Sequence, residues 1–421
     1  MQEDSPPGTT TFVPFGQTER VPAGASPDQV ALQLAGPPIQ LASYAAETIT
    51  NRNFLAFDLG RWNRYYLPPS MAGLAEGPEL GSIDAIEDDN RSAICPDPVA
   101  TLDGLPFYLS VKGVGSAIDP FSLRRLDAAY AAELTDDLDV RARLRSNPSD
   151  RAGGFITGEL WLRGSPYGGQ GLRHASIALR VSELADVTSI GGFRIAPVVK
   201  IARLPEQLAA RIRSIHWYRR YREPIVQEIR LVPSNIRIYF HGRNTVGQEP
   251  GHVFDLFKVN SPAAAHRFEL NFVRSGIAML TLFARTLAKV GPGDRFSGLD
   301  FQDVWLDKDA VLAPDGTVFF VDLEGIDHVV LERSEVPEKI EDQIFRSLYE
   351  FMFAFEQIES ERSRRFGAPG SRKRQLEAIV VEALREEGLV RPRSGPSGLT
   401  LEIRNRAREE SLSYEFPFVD L

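Results

Sequence analysis

The sequence predicts an α+β protein of two lobes, with a strand-rich first half and a helical second half. In the first half, short segments alternate apolar and polar residues and end at glycines. A long helical pattern begins after residue 260, and a hairpin with acidic ends lies between the helical segments. The 421 residues, 43% of them hydrophobic, suffice for two domains. We predict a Pro-rich N-terminal arm over 1–40, a strand-rich lobe over 41–245 and a helical lobe over 246–421.

Composition and charge exclude several classes of protein. The net charge is −9, so we expect neither nucleic acid nor an anionic membrane as a partner. Cys95 is the only cysteine, which excludes a disulfide framework and a paired-cysteine metal or redox site. No segment reaches the roughly 18 consecutive apolar residues that a membrane span needs, and the start lacks the apolar core of a secretory signal. These features favour a cytoplasmic protein.

The predicted strands of the first lobe surround one helix. The stretch "LPFYLSVKGVGS" alternates and then meets glycines, as a strand does when it enters a tight turn. Apolar residues at helical spacing predict a helix over 172–187, whereas we interpret 75–93 as a loop. The segments with the pattern of strands or of a hairpin are 105–116, 155–164, 193–204 and 225–240.

The second lobe begins with a clear helix signal. Ser261 is a suitable N-cap, Pro262 fits the first helical position, and Gly291 ends the pattern. Further helices are predicted over 338–358, from its apolar face, and over 372–388. A strand-rich half with one helix, followed by helices that flank an acidic hairpin, is the order of elements in a protein-kinase-like fold.

The acidic hairpin carries the residues that point to chemistry. In "VWLDKDAVLAPDGTVFFVDLEG" (304–325) the turn APDG joins two apolar strands. Asp303 immediately precedes this stretch, and Asp322 follows the second strand, nineteen positions later. Kinase-type transfer needs one carboxylate at the nucleophile and carboxylate or amide oxygens on Mg²⁺. We therefore assign Asp322 and Asp309 to the metal, and Asp303 or Asp307 to the acceptor hydroxyl. Acids at hairpin ends are also typical of solvated turns and caps, and that alternative stays open here.

Four stretches, in order along the chain, carry a resemblance to a known family. They are "VKGVGS" with the following "DPFS", "LRHASIALRVSE", "RLVPSNIR" and "FVDLEG". They resemble the LKGAG–PFS stretch, the LRSSIREFLCSE helix, the R-x-A-P-S-H-x-R motif and the metal-binding DYG of the selenoprotein O family. That family consists of kinase-fold enzymes that transfer AMP to protein hydroxyls. The resemblance covers about residues 105–330, in patches.

The resemblance implies a nucleotide site and its cofactors, ATP and Mg²⁺. Lys112 would contact nucleotide phosphates, and Asp322 would bind Mg²⁺. Arg230 and Arg237 would hold the phosphates of an ATP bound in reverse orientation, so that its α-phosphate faces the acceptor. Two guanidiniums and one ammonium suit a triphosphate, because charge-assisted hydrogen bonds are strongest where water is limited. The arginines would otherwise belong to a basic surface.

The sequence also departs from the family pattern. About 40 residues over 123–163 are inserted, so Arg163 is an alternative to Lys112 at the lysine position. The helix of the family carries a glutamate that pairs with the lysine, and the ungapped match puts Ala178 there. Glu183 could replace that glutamate only if the helix is shifted, since it lies about 140° around the helix from Ala178.

Three functions follow from this pattern. The first is AMP transfer to a protein hydroxyl. The second is phosphoryl transfer to a protein or small-molecule hydroxyl, which the spacing of Asp303 and Asp322 suggests. The third is an inactive, pseudokinase-like scaffold that binds nucleotide. The family has a catalytic Asp-Asn pair, and in its place this sequence has Asp307-Lys308, or Lys308-Asp309 with a slip of one residue.

Overall fold

A computed structural model describes most of the predicted strand-rich half and parts of the second half. The described residues are 13–14, 38–67, 78–88, 92–114, 170–190, 192–214, 223–237, 253–289, 296–300, 309–323, 327–331, 351, 354–355, 357–367, 390–395, 398–405 and 410–415. The chain divides into two compact units. The first comprises Met1–Glu183, Pro197–Asn235 and Phe240–Pro250; the second comprises Leu184–Ala196, Ile236–Tyr239 and Gly251–Leu421.

An antiparallel sheet of eleven strands forms the first unit. Its strands are β1 (Val13–Pro14), β2 (Pro38–Tyr44), β3 (Glu47–Thr50), β4 (Tyr65–Leu67), β5 (Ser82–Asp88), β6 (Ser92–Ile94), β7 (Ala100–Leu102), β8 (Leu105–Lys112), β9 (Gln170–Gly171), β12 (Val198–Arg203) and β13 (Ile225–Val232). Along the sheet the order is β3-β12-β13-β8-β6-β5-β2-β4. Strand β9 also pairs with β13, and β7 pairs with β8 and β1. The central strand β13 is buried along its whole length.

The structure confirms the strand over "LPFYLSVK" and corrects the loop predicted over 75–93. That region contains β5, in which Ile83 and Ala85 are buried while Ser82 and Asp84 are exposed. The strand period of two is present over four residues, but the glycines, proline and acids around them favour a loop. The segment 225–240 contains one eight-residue strand, β13, and then a single bridge at Arg237.

Two helices of the described part of the chain accompany this sheet. Helix α1 (Leu172–Leu184) confirms the predicted helix, ends three residues before the predicted bound, and begins directly after β9. Its buried side includes the small residues Ala175, Ala178 and Ser182, and Ser182 Oγ accepts a hydrogen bond of 2.8 Å from the Val198 backbone N–H. Helix α2 (Glu206–Ser214) follows β12. Small inward residues let α1 lie close to the neighbouring backbone.

The second unit contains helices and short strands. The helices are α3 (Val253–Leu256), α4 (Pro262–Lys289) and a helical stretch over 357–366. Ser261 caps α4, since its Oγ accepts from the Ala264 N–H at 3.2 Å, as predicted. The strands are β10 (Ser189–Ile190), β11 (Phe193–Arg194), β14 (Phe296–Asp300), β15 (Ala310–Leu312), β16 (Val318–Phe320), β17 (Asp327–Leu331), β18 (Val390–Gly395), β19 (Gly398–Asn405) and β20 (Glu410–Glu415).

The second unit therefore contains more strands than the predicted helical lobe with its one acidic hairpin. Strands β18, β19 and β20 form a three-stranded antiparallel sheet, and β14 pairs with β17. The hairpin of β15 and β16 confirms the predicted acidic hairpin. The helix predicted over 372–388 and the strand predicted over 155–164 lie outside the described residues, as does most of the arm over 1–40.

Aromatic rings fill the core of each unit. In the first unit Tyr44 stacks on Tyr65 with ring centroids 5.3 Å apart. In the second, Phe272 stacks on Phe351 at 5.0 Å. The protein is thus a mixed α+β chain with a large antiparallel sheet and few helices. No helix among the described residues is long and apolar enough to cross a membrane.

Candidate functional site

The first group of candidate residues lies on one face of the large sheet. In the antiparallel pair of β8 and β13, Lys112 stands opposite Glu228 and Ser110 stands opposite Arg230. Directly opposed residues in such a pair project to the same face, and so do residues two apart on one strand. Lys112, Glu228 and Arg230 therefore share a face, which we call the charged face.

All three side chains of the charged face are almost fully removed from solvent. Lys112 is 3% exposed, Glu228 0% and Arg230 4%. The Arg230 Nη2 donates to Glu228 Oε2 at 3.0 Å, which pairs the buried guanidinium with a carboxylate. Buried charges are stable only when they are paired and hydrogen-bonded. The charged face thus brings two cations and one carboxylate together away from solvent.

Gln170 and His174 border the charged face. Strand β9 runs along the same edge of β13 as β8, with Gln170 opposite Val226, so Gln170 projects to the face of Glu228. His174 lies in the first turn of α1. Burial lowers the pKa of His174, and the nearby Lys112 lowers it further, whereas Glu223 and Glu228 raise it. The imidazole is therefore within electrostatic range of the charged face.

Glu183, the predicted partner of Lys112, has a different partner in the structure. Arg52 Nη2 lies 3.2 Å from one carboxylate oxygen of Glu183, and the Arg52 backbone N–H donates to the other at 3.1 Å. Ala178, in the position of the family glutamate, is buried in α1. The carboxylate opposite Lys112 is that of Glu228, which the sequence reasoning missed. One signal for it was present, because a lone acid inside the apolar stretch "IVQEIRLV" needs a buried partner.

The second group of candidate residues lies in the second unit, at the open end of the β15–β16 hairpin. Asp309 immediately precedes β15 and is buried, and Asp322 follows β16 by two residues and is half-buried. The Val321 N–H donates to the Asp309 carbonyl at 2.7 Å, which closes this end of the hairpin. The backbone therefore holds the two acids at one end of the same hairpin.

Helix α4 fixes the position of the other end of the hairpin. Asn271 Nδ2 donates to the Asp315 carbonyl at 3.0 Å and to its carboxylate at 3.1 Å. Ser275 Oγ accepts from the Val318 N–H at 3.0 Å. The turn residue Gly316 has φ +92°, and its Cα lies so close to the Phe268 carbonyl that an added Cβ would be 2.2 Å from the oxygen. The turn is therefore packed tightly onto a helix.

Arg237 also belongs to this hairpin. It forms an isolated antiparallel bridge with Val311, and the Leu312 N–H donates to the Ile236 carbonyl at 2.8 Å. On the other side, Ile195 bridges Phe320 in parallel orientation. Arg237 thus flanks β15 two register positions from Asp309.

The predicted residues therefore fall into two groups. Lys112 and Arg230 lie together in the first unit, and Asp309, Asp322 and Arg237 lie together in the second. Carboxylate oxygens are the ligands that Mg²⁺ prefers, so Asp309 and Asp322 are the residues that could hold it. Among the described residues, no cluster of three or more His, Cys, Asp or Glu side chains is placed to hold a metal. Asp303, Asp307 and Arg163 lie outside the described residues.

Comparison with known proteins finds no family model, no curated protein and no solved structure that matches this chain. The class of protein that fold and site define is an α+β protein with a buried charged face on a large antiparallel sheet.

Proposed function

We propose that this chain is an ATP- and Mg²⁺-dependent nucleotidyltransferase that transfers AMP to a protein hydroxyl, on a divergent two-lobed kinase-like fold. The observation that carries the proposal is the charged face, where Lys112 and Arg230 are buried around Glu228. Catalysis of this kind depends mostly on positioning and on electrostatic stabilisation of phosphate. A buried lysine and arginine supply both, because the sheet holds their positions before substrate binds.

The charged face is the candidate site for the phosphates. The Glu228 carboxylate holds the Arg230 guanidinium by a 3.0 Å hydrogen bond, so one of its donors is fixed before any phosphate arrives. Guanidinium and ammonium groups form their strongest hydrogen bonds to phosphate where water is excluded. Arg237, which bridges Val311 beside β15, stays a predicted phosphate ligand.

The hairpin is the candidate site for Mg²⁺. Asp322 and Asp309 provide hard oxygen ligands, and the packing of the turn on α4 fixes where they lie. In the proposed reaction the acceptor oxygen forms a bond to the α-phosphorus while the bond from that phosphorus to the bridging oxygen breaks. Pyrophosphate would leave, and the hydroxyl proton would pass to Asp303 or Asp307. Mg²⁺ held by Asp322 and Asp309 would neutralise charge on the phosphates.

The test is label transfer from ATP carrying ³²P at the α- or the γ-phosphate. We expect label from the α-position alone, on the protein itself or on an added acceptor. Label from the γ-position alone would show phosphoryl transfer and contradict the proposal. Binding of Mg-ATP with no label transfer from either position would indicate a nucleotide-binding scaffold.

Variants assign the result to the site. Asp322→Asn should reduce label transfer by about 10²-fold or more while ATP still binds, because the metal stabilises charge mainly in the transition state. Lys112→Met should weaken ATP binding by about 10- to 100-fold, the worth of a charge-assisted hydrogen bond. Arg203→Met is the matched control, since Arg203 lies in the same sheet but pairs with Glu47 at the surface at 3.6 Å.

A further inference from the structure

Gln170 is a buried amide whose polar atoms have no hydrogen-bond partner among the described residues. The side chain is 1% exposed, and neither Nε2 nor Oε1 has a hydrogen-bond partner in the described part of the chain. Oε1 of Glu228 is likewise buried without a hydrogen bond there. Native proteins seldom bury such atoms unless a ligand or an ordered water completes them. Two neighbouring side chains with such unpaired atoms, on one face of the sheet, indicate a ligand-binding site.

The register of the sheet places these atoms next to the candidate phosphate site. Lys112 stands opposite Glu228 and Gln170 stands opposite Val226, along the same edge of β13. Gln170 is therefore two register positions from Lys112, which is about 6.6 Å at the usual rise per residue of a strand. That distance is comparable to the separation of a nucleotide sugar from its phosphates.

The unpaired atoms also define the chemistry of the group they would bind. Gln170 offers an amide nitrogen with two N–H donors and a carbonyl acceptor, and Glu228 Oε1 offers only an acceptor. Their partner must therefore donate to two oxygens and accept from at least one N–H. Ionised phosphate oxygens have no proton to donate, so they cannot satisfy the two oxygens. A cis-diol supplies two O–H donors and free lone pairs, and it matches all three atoms.

We infer that Gln170 and Glu228 bind the ribose hydroxyls of the nucleotide whose phosphates Lys112 and Arg230 hold. The inference rests on the proposed function and extends it. The same face of the sheet would then bind both the sugar and the phosphates. The protein would bind ribonucleotides more tightly than deoxyribonucleotides.

Calorimetric binding of ATP, 2′-deoxy-ATP, 3′-deoxy-ATP and inorganic triphosphate to the full chain tests this inference. We expect ATP to bind at least about tenfold more tightly than either deoxy analogue, because each missing hydroxyl leaves a buried polar atom unpaired. In Gln170→Met this preference should fall to near unity, through weaker ATP binding and with triphosphate binding unchanged. Methionine keeps the approximate size of glutamine and removes both polar atoms.

The unliganded variant gives a second readout. Gln170→Met removes two unpaired buried polar atoms, so we expect its melting temperature to equal or exceed that of the wild type. Gln227→Met is the matched control, a buried glutamine on the opposite face of β13. Gln227 Oε1 accepts from the Tyr66 N–H at 2.8 Å, and its Nε2 donates to the Tyr66 carbonyl at 2.7 Å. That control should melt lower and keep the preference for ribose.

The outcomes separate the two proposals. Equal binding of ATP and its deoxy analogues, or an unchanged preference in Gln170→Met, would overturn the ribose assignment while leaving nucleotide binding intact. A lower melting temperature of unliganded Gln170→Met would also overturn it, since the amide would then have a structural role. Binding of no nucleotide and no triphosphate would overturn the proposed function, and the ribose assignment with it.

Discussion

Glu228 stands directly opposite Lys112 on the neighbouring strand, and the same carboxylate accepts a hydrogen bond from Arg230. One fully buried acid thus lies beside two buried bases and is hydrogen-bonded to one of them. This relationship makes the charged face sensitive to loss of the acid.

Glu228→Ala should therefore destabilise the first unit by about 3–5 kcal/mol, the cost of leaving a buried charge without its partner. Urea unfolding followed by far-UV circular dichroism measures this. The double variant with Glu228→Met and Arg230→Met should be more stable than Glu228→Ala, because a buried ion pair can be replaced by apolar side chains at little cost. A change below about 1 kcal/mol in Glu228→Ala would contradict the role assigned to the carboxylate.

Gly316 in the turn of the acidic hairpin tolerates no side chain. Its φ of +92° disfavours any other residue, and an added Cβ would lie 2.2 Å from the Phe268 carbonyl oxygen. We expect Gly316→Ala to cost about 3 kcal/mol or more, as strain and overlap add. Gly367→Ala is the control, since Gly367 has φ +62° but open space around it. It should cost only about 1 kcal/mol, and equal losses in the two variants would refute the close contact.

At Gly276 in α4, we expect alanine to be less favourable than glycine, the reverse of their usual order in a helix. Alanine in a helix interior is normally more favourable than glycine by about 1 kcal/mol. Here an added Cβ would be 2.2 Å from Cε2 of Phe351, whose ring stacks on Phe272. Gly276→Ala should therefore destabilise by about 1–3 kcal/mol, measured by denaturant unfolding. In a protein that already carries Phe351→Leu, Gly276→Ala should cost less stability than it does in the wild type. Equal costs in the two backgrounds would contradict the packing.

Because the Cys95 thiol is buried, we expect the protein to lose stability at alkaline pH. Burial raises the pKa of its thiol to about 11 from an ordinary value of about 9. The unfolded chain therefore loses this proton first as the pH rises, so the contribution is complete below pH 9 and is lost between pH 9 and about 11. Unfolding in urea across this range measures the loss. Cys95→Ala should lose less stability over the same interval, by about 2 kcal/mol, and identical pH dependence in both proteins would contradict burial of the thiol.

Local signals in the sequence predicted the elements that local chemistry determines. Ser261 and Pro262 marked the start of α4, and APDG marked the hairpin turn, because caps and turns depend on a few consecutive residues. The opposition of Lys112 and Glu228 could not be predicted in this way. It depends on the register between strands 116 positions apart in the sequence, which no short pattern encodes.

The same limit explains why the sequence pointed to Glu183 and not to Glu228. Glu183 lies on a helix whose sequence resembles the family's helix, whereas Glu228 becomes a neighbour of Lys112 only through the pairing of β8 with β13. The strands β18–β20 were missed for another reason. The sequences "GLTLEIRN" and "ESLSYE" do alternate apolar and polar residues, so the strand signal was present and was overlooked.

The placement of β9 beside the end of β8 has a consequence for how this chain can change in length. Lys112 and Gln170 occupy nearly consecutive positions along one edge of β13, although 57 residues separate them in the sequence. The sheet therefore sets only where the chain departs and where it returns. We therefore expect residues added or removed between these points to leave the strand register intact. This position is a suitable insertion site for additional domains, in evolution and in protein engineering.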